Sequence, residues 1–303
     1  MTCCAAKAEQ KSTICCRLFL FHVNIRIMSV SVAQTVRSEV RKDACQQPES
    51  IMFEQPMNET LRLCLRLEKL FKTVRSTFHD ASASGSCSCI RAMLQIIELT
   101  NRPDLKSKFI KCISQYKNNL HNINFLDLAE KHDIESRLHN FMAELLSSSQ
   151  RIGDSLRRNE FLNTARLIFA TPGGDADFSV PGFSLWLKSD AAVRQAQLVE
   201  WMHEFTKLES LCHILLALTR RSEHKSEITC EKGFYQQLLD VDQYYQMLSI
   251  DLPLDLNVYP EVSIGKHRLC IRFVQTDFSK NGHASQVQQS FTFKLGLCKT
   301  VKY

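Results

Sequence analysis

No stretch of this 303-residue chain approaches the roughly 18 to 20 consecutive apolar residues that a membrane span needs, so no direct insertion into a bilayer is expected. The nearest imitation of a leader is RLFLFHVNI, Arg17 to Ile25, preceded by Lys7 and Lys11. It is short, is interrupted by His22 and Asn24, and is followed by no convincing small-residue cleavage site. Glycine is scarce, and the pair Gly173-Gly174 lacks both the Lys-Ser/Thr of a nucleotide loop and the alternating glycines of a dinucleotide fingerprint. It reads as a turn. The 13 cysteines include no two CxxC sites with metal-ligand spacing, so neither a zinc site nor a disulfide framework is expected. A nucleophile with an adjacent base is missing as well. Cys212 and His213 are neighbours on a predicted helix, where successive side chains diverge by about 100°. The sequence therefore implies no catalytic residue, no metal and no cofactor, and the expectation is a protein that is not an enzyme.

What is present is an uneven charge and two kinds of periodicity. Residues 1–51 hold 7 basic and 4 acidic groups, residues 52–260 hold 24 and 26, and residues 261–303 hold 7 and 2, so the net charge of +6 is concentrated near the C-terminal end. Such a basic surface implies an acidic partner without saying which. Cys64, Cys112, Cys212 and Cys270 fall inside regular helical or strand patterns and read as small reduced hydrophobes, which fits a cytosolic protein.

Residues 1–51 show no sustained period. They are expected to be an N-terminal extension outside the fold, disordered or the product of a misplaced start. Residues 52–232 read as a mainly helical domain. FEQP is extended because of Pro56, and Asn58 then caps a helix that runs to about Phe78 with Leu63, Leu67, Leu70 and Val74 on one face. Ile90, Met93, Leu94 and Ile97 repeat the spacing, as do Leu105, Phe109, Ile113 and Tyr116, then Ile134, Leu138, Phe141 and Leu145. Near 172–186 a short extended insert is expected between turns at Pro172-Gly173-Gly174 and Pro181-Gly182. Two more helices follow, from about Ala191 to Glu204 and from Lys207 to Arg221.

From 233 to 303 the period changes to that of an antiparallel β domain, giving an α+β fold class. In Arg268-Leu269-Cys270-Ile271-Arg272-Phe273, alternation turns Leu269, Ile271 and Phe273 to a core and Arg268, Cys270 and Arg272 outward with Lys266. The two arginines then stand about 13 Å apart on one face. A nucleic-acid-binding module using this basic β surface is the alternative reading, since Phe273, Phe291 and Phe293 lie nearby. Alternation places Phe273 opposite the arginines, whereas single-strand binding needs aromatics and cations on one surface.

Six segments in this order, FEQPMNETLRLCLRLEKLF, SQRIGDSLR, TPGG, Trp186-Leu187, KGFYQ and YPEVSIGKHRLCIRF, make the chain resemble the ZapD family of bacterial cell-division proteins from about Phe53 to Leu297. The resemblance implies a helical domain joined to a small antiparallel β domain, a homodimer and no catalysis. It further implies a cytoplasmic protein at midcell with the Z-ring, which binds the C-terminal tail of FtsZ and cross-links FtsZ filaments into bundles. The tail-binding basic surface carries over to Arg62, Arg66, Arg102, Arg157, Lys266, Arg268 and Arg272. Independently of the resemblance, Arg62, Arg66 and Lys69 form one basic stripe at i, i+4 and i+7. Where family members often read LRED, this chain has Leu156-Arg157-Arg158-Asn159, which alters the charges around Arg157.

Overall fold

The computed structural model describes residues 50–174, 180–277, 279 and 282–301. The extension expected over 1–51 lies outside them except for Ser50 and Ile51. These two open the first strand, β1 (Ser50–Pro56). Asn58 leaves it in an extended conformation and caps α1 (Glu59–Phe78), its side-chain oxygen accepting from the Leu61 amide at 2.8 Å. Leu61, Leu63, Cys64, Leu67, Phe71 and Val74 are the buried stripe of that helix.

The remaining helices are α2 (Ala83–Leu99), α3 (Leu105–Asn119), α4 (Leu128–Ser147), α5 (Asp154–Arg157), α6 (Glu160–Ala170), α7 (Pro181–Leu187), α8 (Ala191–His203) and α9 (Thr206–Arg221). Their apolar faces share one core in which Phe109, Ile90, Met93, Phe205 and Leu215 are closed to solvent. Helix α4 is peripheral, since Leu138 alone is fully buried on it. Its start is fixed by a capping box between Asp127 and Glu130. Arg194 of α8 is a buried cation held by carbonyl oxygens: it donates to Ala81 at 2.5 Å and Leu187 at 3.0 Å, and also to Ser189. Those bonds offset the cost of taking the guanidinium out of water.

The strands that follow are β2 (Glu223–Cys230), β3 (Phe234–Leu238), β4 (Gln243–Pro253), β5 (Tyr259–Ile264), β6 (Arg268–Asp277), β7 (His283–Gln286) and β8 (Phe291–Val301). They make two antiparallel sheets, one ordered β1-β4-β8-β2 and one ordered β3-β6-β5 with β7 also paired to β6. Leu248, Ile250 and Leu252 of β4, Phe293, Leu295 and Leu297 of β8, and Leu269, Ile271 and Phe273 of β6 form the core of this β part. The first sheet is also covered on its other face, which explains the unbroken burial from Gln246 to Ile250. On that face the Tyr116 hydroxyl of α3 donates to Gln246 Oε1 at 2.7 Å and lies 2.5 Å from Thr219 Oγ1. Beside it Arg220 of α9 donates to both carboxylate oxygens of Glu54 on β1 and of Glu68 on α1, all at 2.7–2.8 Å. The architecture is α+β, with helices and antiparallel sheets.

Three details depart from expectation. The strands are not confined to residues 233–303: β1 and β2 form the two edges of the first sheet. Strand β2 carries Glu223, Lys225 and Glu227, charges that mask any apolar alternation in it. The insert near 172–186 is not an extended piece beyond residue 180. Pro181 is the first residue of helix α7, where its missing N–H costs nothing, rather than the start of a turn. Residues 175–179 of that insert lie outside the described residues, and Val180 flanks the helix.

Candidate basic surface

The predicted cations fall into two groups, and no described contact joins one to the other. The first gathers at the turn between α2 and α3. Glu59, in the first turn of α1, accepts from Arg62 Nη1 at 2.9 Å one helical turn along, and from Arg102 Nη1 at 3.1 Å across the turn. The hydrogen bond from Arg102, aided by a weaker contribution from Arg62, holds the Glu59 carboxyl below its ordinary value against the opposing effect of burial. Arg102 also lies 3.6 Å from Asp104, which pairs with Lys108 at 2.6 Å. Arg66, one turn beyond Arg62, is exposed, and no ion pair involves it among the described residues.

Arg157 reaches the same turn from the other side, but not as a surface cation. Gly153, at φ +74°, sets the start of α5, and a Cβ there would stand 2.8 Å from the ring of Phe205. From that helix the Arg157 guanidinium turns inward, its Nη2 donating to the Ile152 carbonyl at 2.5 Å and to Thr100 Oγ1 at 3.3 Å. Its Nε and Nη1 are buried without a partner, and burial pushes its pKa down. Arg157 is therefore half-buried, with its guanidinium turned inward at the back of the turn.

Besides Lys108, two further cations at this place were not marked by the sequence. Arg151 donates to Asn101 Oδ1 at 3.2 Å, and Lys106 donates to the Ser148 carbonyl at 2.7 Å. With Arg102, Thr100 and Ile152 they line a cavity of about 210 Å³. Arg151 stands within the SQRIGDSLR segment, six residues before Arg157, and that proximity was the one available signal.

The second group is on the outer face of β6. Alternation holds: Leu269, Ile271 and Phe273 are closed to solvent, and Arg268 and Arg272 are exposed. Lys266 is exposed in the turn before them. Arg272, however, faces Glu261 in the register with β5 and bonds its carboxylate through both Nε, at 2.9 Å, and Nη2. The free cations of this face are thus Lys266 and Arg268, neither of which has an ion-pair partner among the described residues.

Cys212 is buried while His213, its neighbour, is exposed, so the two diverge. Among the described residues no group of three or more His, Cys, Asp or Glu side chains could hold a metal, and no helix is long and apolar enough to cross a membrane.

Comparison with known proteins adds the following. The profile of a family described as ZapD, cell division protein, matches residues 65–272. The cell division protein ZapD of Coxiella burnetii (strain RSA 331 / Henzerling II) is 32% identical over 253 residues, covering 82% of this chain and 98% of the relative. That of Methylococcus capsulatus is 30% identical over 252 residues, 82% of this chain and 98% of the relative. That of Bordetella petrii is 29% identical over 252 residues, 82% of this chain and all of the relative.

Proposed function

The chain belongs to the ZapD family of cell division proteins, and from that premise we propose that it is a non-enzymatic division factor that binds the C-terminal tail of FtsZ and cross-links FtsZ filaments. In this reading it acts in the cytoplasm at midcell, as a homodimer. A symmetric pair presents each site twice, so one dimer holds tails from two filaments. Many tails along a polymer then convert a modest single-site affinity into firm bundling.

The observation that supports the reading most is the crowding of cations at one turn. Arg62, Arg102, Lys106, Lys108 and Arg151 come together there, with Arg66 one helical turn beyond Arg62 on α1 and with Glu59 and Asp104 as the carboxylates within ion-pair reach. The excess positive charge suits an acidic tail. Charge-assisted bonds to carboxylates are worth roughly 1.5–3 kcal/mol each.

The nucleic-acid alternative is disfavoured by the burial of Phe273 and Phe293, which leaves those rings unavailable for base stacking on the cationic face. Titration of a labelled FtsZ tail peptide into the wild type and into Arg66→Glu/Arg102→Glu, at low and high salt, tests the proposal. The variant should bind at least about tenfold more weakly, and the wild-type affinity should fall as salt rises. Equal affinity in a folded variant would remove this surface from the site.

A further inference from the structure

The cavity of about 210 Å³ at the turn between α2 and α3 is walled by two stretches of chain, one from the turn and one, residues 149–152, from the segment before α5. Its volume is below the roughly 300–1,000 Å³ of sites that enclose a drug-sized ligand, so it takes a single group rather than a run of peptide. Arg102 and Lys106 line it from the turn, and Arg151 lines it from the facing wall.

These three charges are not equally free. Arg102 is shared between Glu59, at 3.1 Å, and Asp104, at 3.6 Å. Lys106 and Arg151 are bonded to neutral oxygens instead, the Ser148 carbonyl and Asn101 Oδ1, and neither has a carboxylate in ion-pair reach among the described residues. Each keeps donors to spare, since Lys106 gives one ammonium proton and Arg151 uses only its Nη1. Behind them Arg157 bonds Thr100 and the Ile152 carbonyl, two residues that line the same cavity, while its buried Nε and Nη1 have no partner. The back of the cavity is therefore positive as well. Pro103 and Ile152 add an apolar lining beside the cations.

We infer that this cavity receives the free α-carboxylate that ends the bound tail, with Lys106 and Arg151 as its partners and Pro103 and Ile152 against the last side chain. The inference rests on the tail-binding reading and adds to it which group of the tail enters. An aspartate or glutamate inserted from the middle of the tail meets the cations but leaves the apolar lining uncovered. The last residue carries a carboxylate and a side chain on one Cα and covers both. Only one length of chain then has to leave the cavity. Capture of a chain-terminal carboxylate is a recurring mode of peptide recognition, and charge-assisted bonds make it strong for its size.

The test titrates three synthetic peptides of the FtsZ C-terminal tail into the full-length wild type. One ends in the free acid, one in the carboxamide, and one keeps the free acid while an internal acidic residue is replaced by its amide. The second and third have lost the same charge, so they separate the place of the carboxylate from net charge. The carboxamide should bind at least about tenfold more weakly than the free acid, and the internally neutralised peptide no more than about threefold more weakly. In Lys106→Met/Arg151→Met the free acid and the carboxamide should bind alike. The comparison on the wild type needs no variant to fold. Equal affinity of free acid and carboxamide, an equal or larger loss from the internal change, or a gap that persists in the folded double variant overturns the inference and leaves the tail-binding reading standing. Absence of binding by all three peptides overturns both.

Discussion

Among single side chains, what an arginine does here is decided by the carboxylate it finds. Arg220 is tied to two of them, Glu54 and Glu68, at the seam between α9, β1 and α1. Because the group is only half-buried, Arg220→Met should cost about 1–2 kcal/mol rather than the larger sum of its bonds. The cost should depend on pH. The Arg220 hydrogen bond holds the Glu68 carboxyl below its ordinary 4.5, so its contribution is whole above that value and is lost as pH falls through the folded value. The stability gap between wild type and variant, read from urea midpoints, should narrow as pH drops from about 6 to about 3; a gap independent of pH would contradict this. On β6 the two outward arginines should behave differently. Arg268→Glu should leave stability within about 0.5 kcal/mol, while Arg272→Glu, which sets two carboxylates opposite one another at Glu261, should cost up to about 1 kcal/mol. Equal losses in the two variants would mean that the cross-strand pair carries no weight.

For whole elements, the legible ones were those whose own residues state their surroundings. The stripe Leu63, Leu67 and Val74 and the cap at Asn58 announced α1, and the alternation in β6 announced both of its faces. What stayed hidden was set by partners distant in sequence. Strand β2 shows few apolar residues because it is a charged edge, and α7 begins at a proline that also suits a turn. The pairing of Arg272 with Glu261, the inward course of Arg157 and the meeting of Arg151 and Lys106 with Arg102 all depend on register or tertiary packing. One glycine has a comparable reach. Gly233, at φ +65° between β2 and β3, would place a Cβ 2.3 Å from the Val287 carbonyl oxygen. Gly233→Ala should therefore lose about 2–4 kcal/mol, through both backbone strain and the clash, visible as a lower thermal midpoint. An unchanged midpoint would mean that the turn is looser than its geometry implies.

Over the whole molecule, the charge asymmetry read from the sequence resolves into two separate basic places, one at the turn joining α2 to α3 and one on the outer face of β6. The first carries the proposed grip on FtsZ; the second lies beside the edge strand β3. A helical core and a β core share the first sheet between them, joined by Tyr116, Gln246 and Arg220, so either basic place can be altered without dismantling the other. We propose that the protein bundles FtsZ polymers through their C-terminal tails. Low-speed sedimentation of GTP-assembled FtsZ with and without this protein, using FtsZ that has or lacks its tail, tests it most directly. Pelleted bundles should appear with intact FtsZ, diminish as salt rises and be absent with the tailless form. Equal pelleting of intact and tailless FtsZ, or none of either, would contradict it.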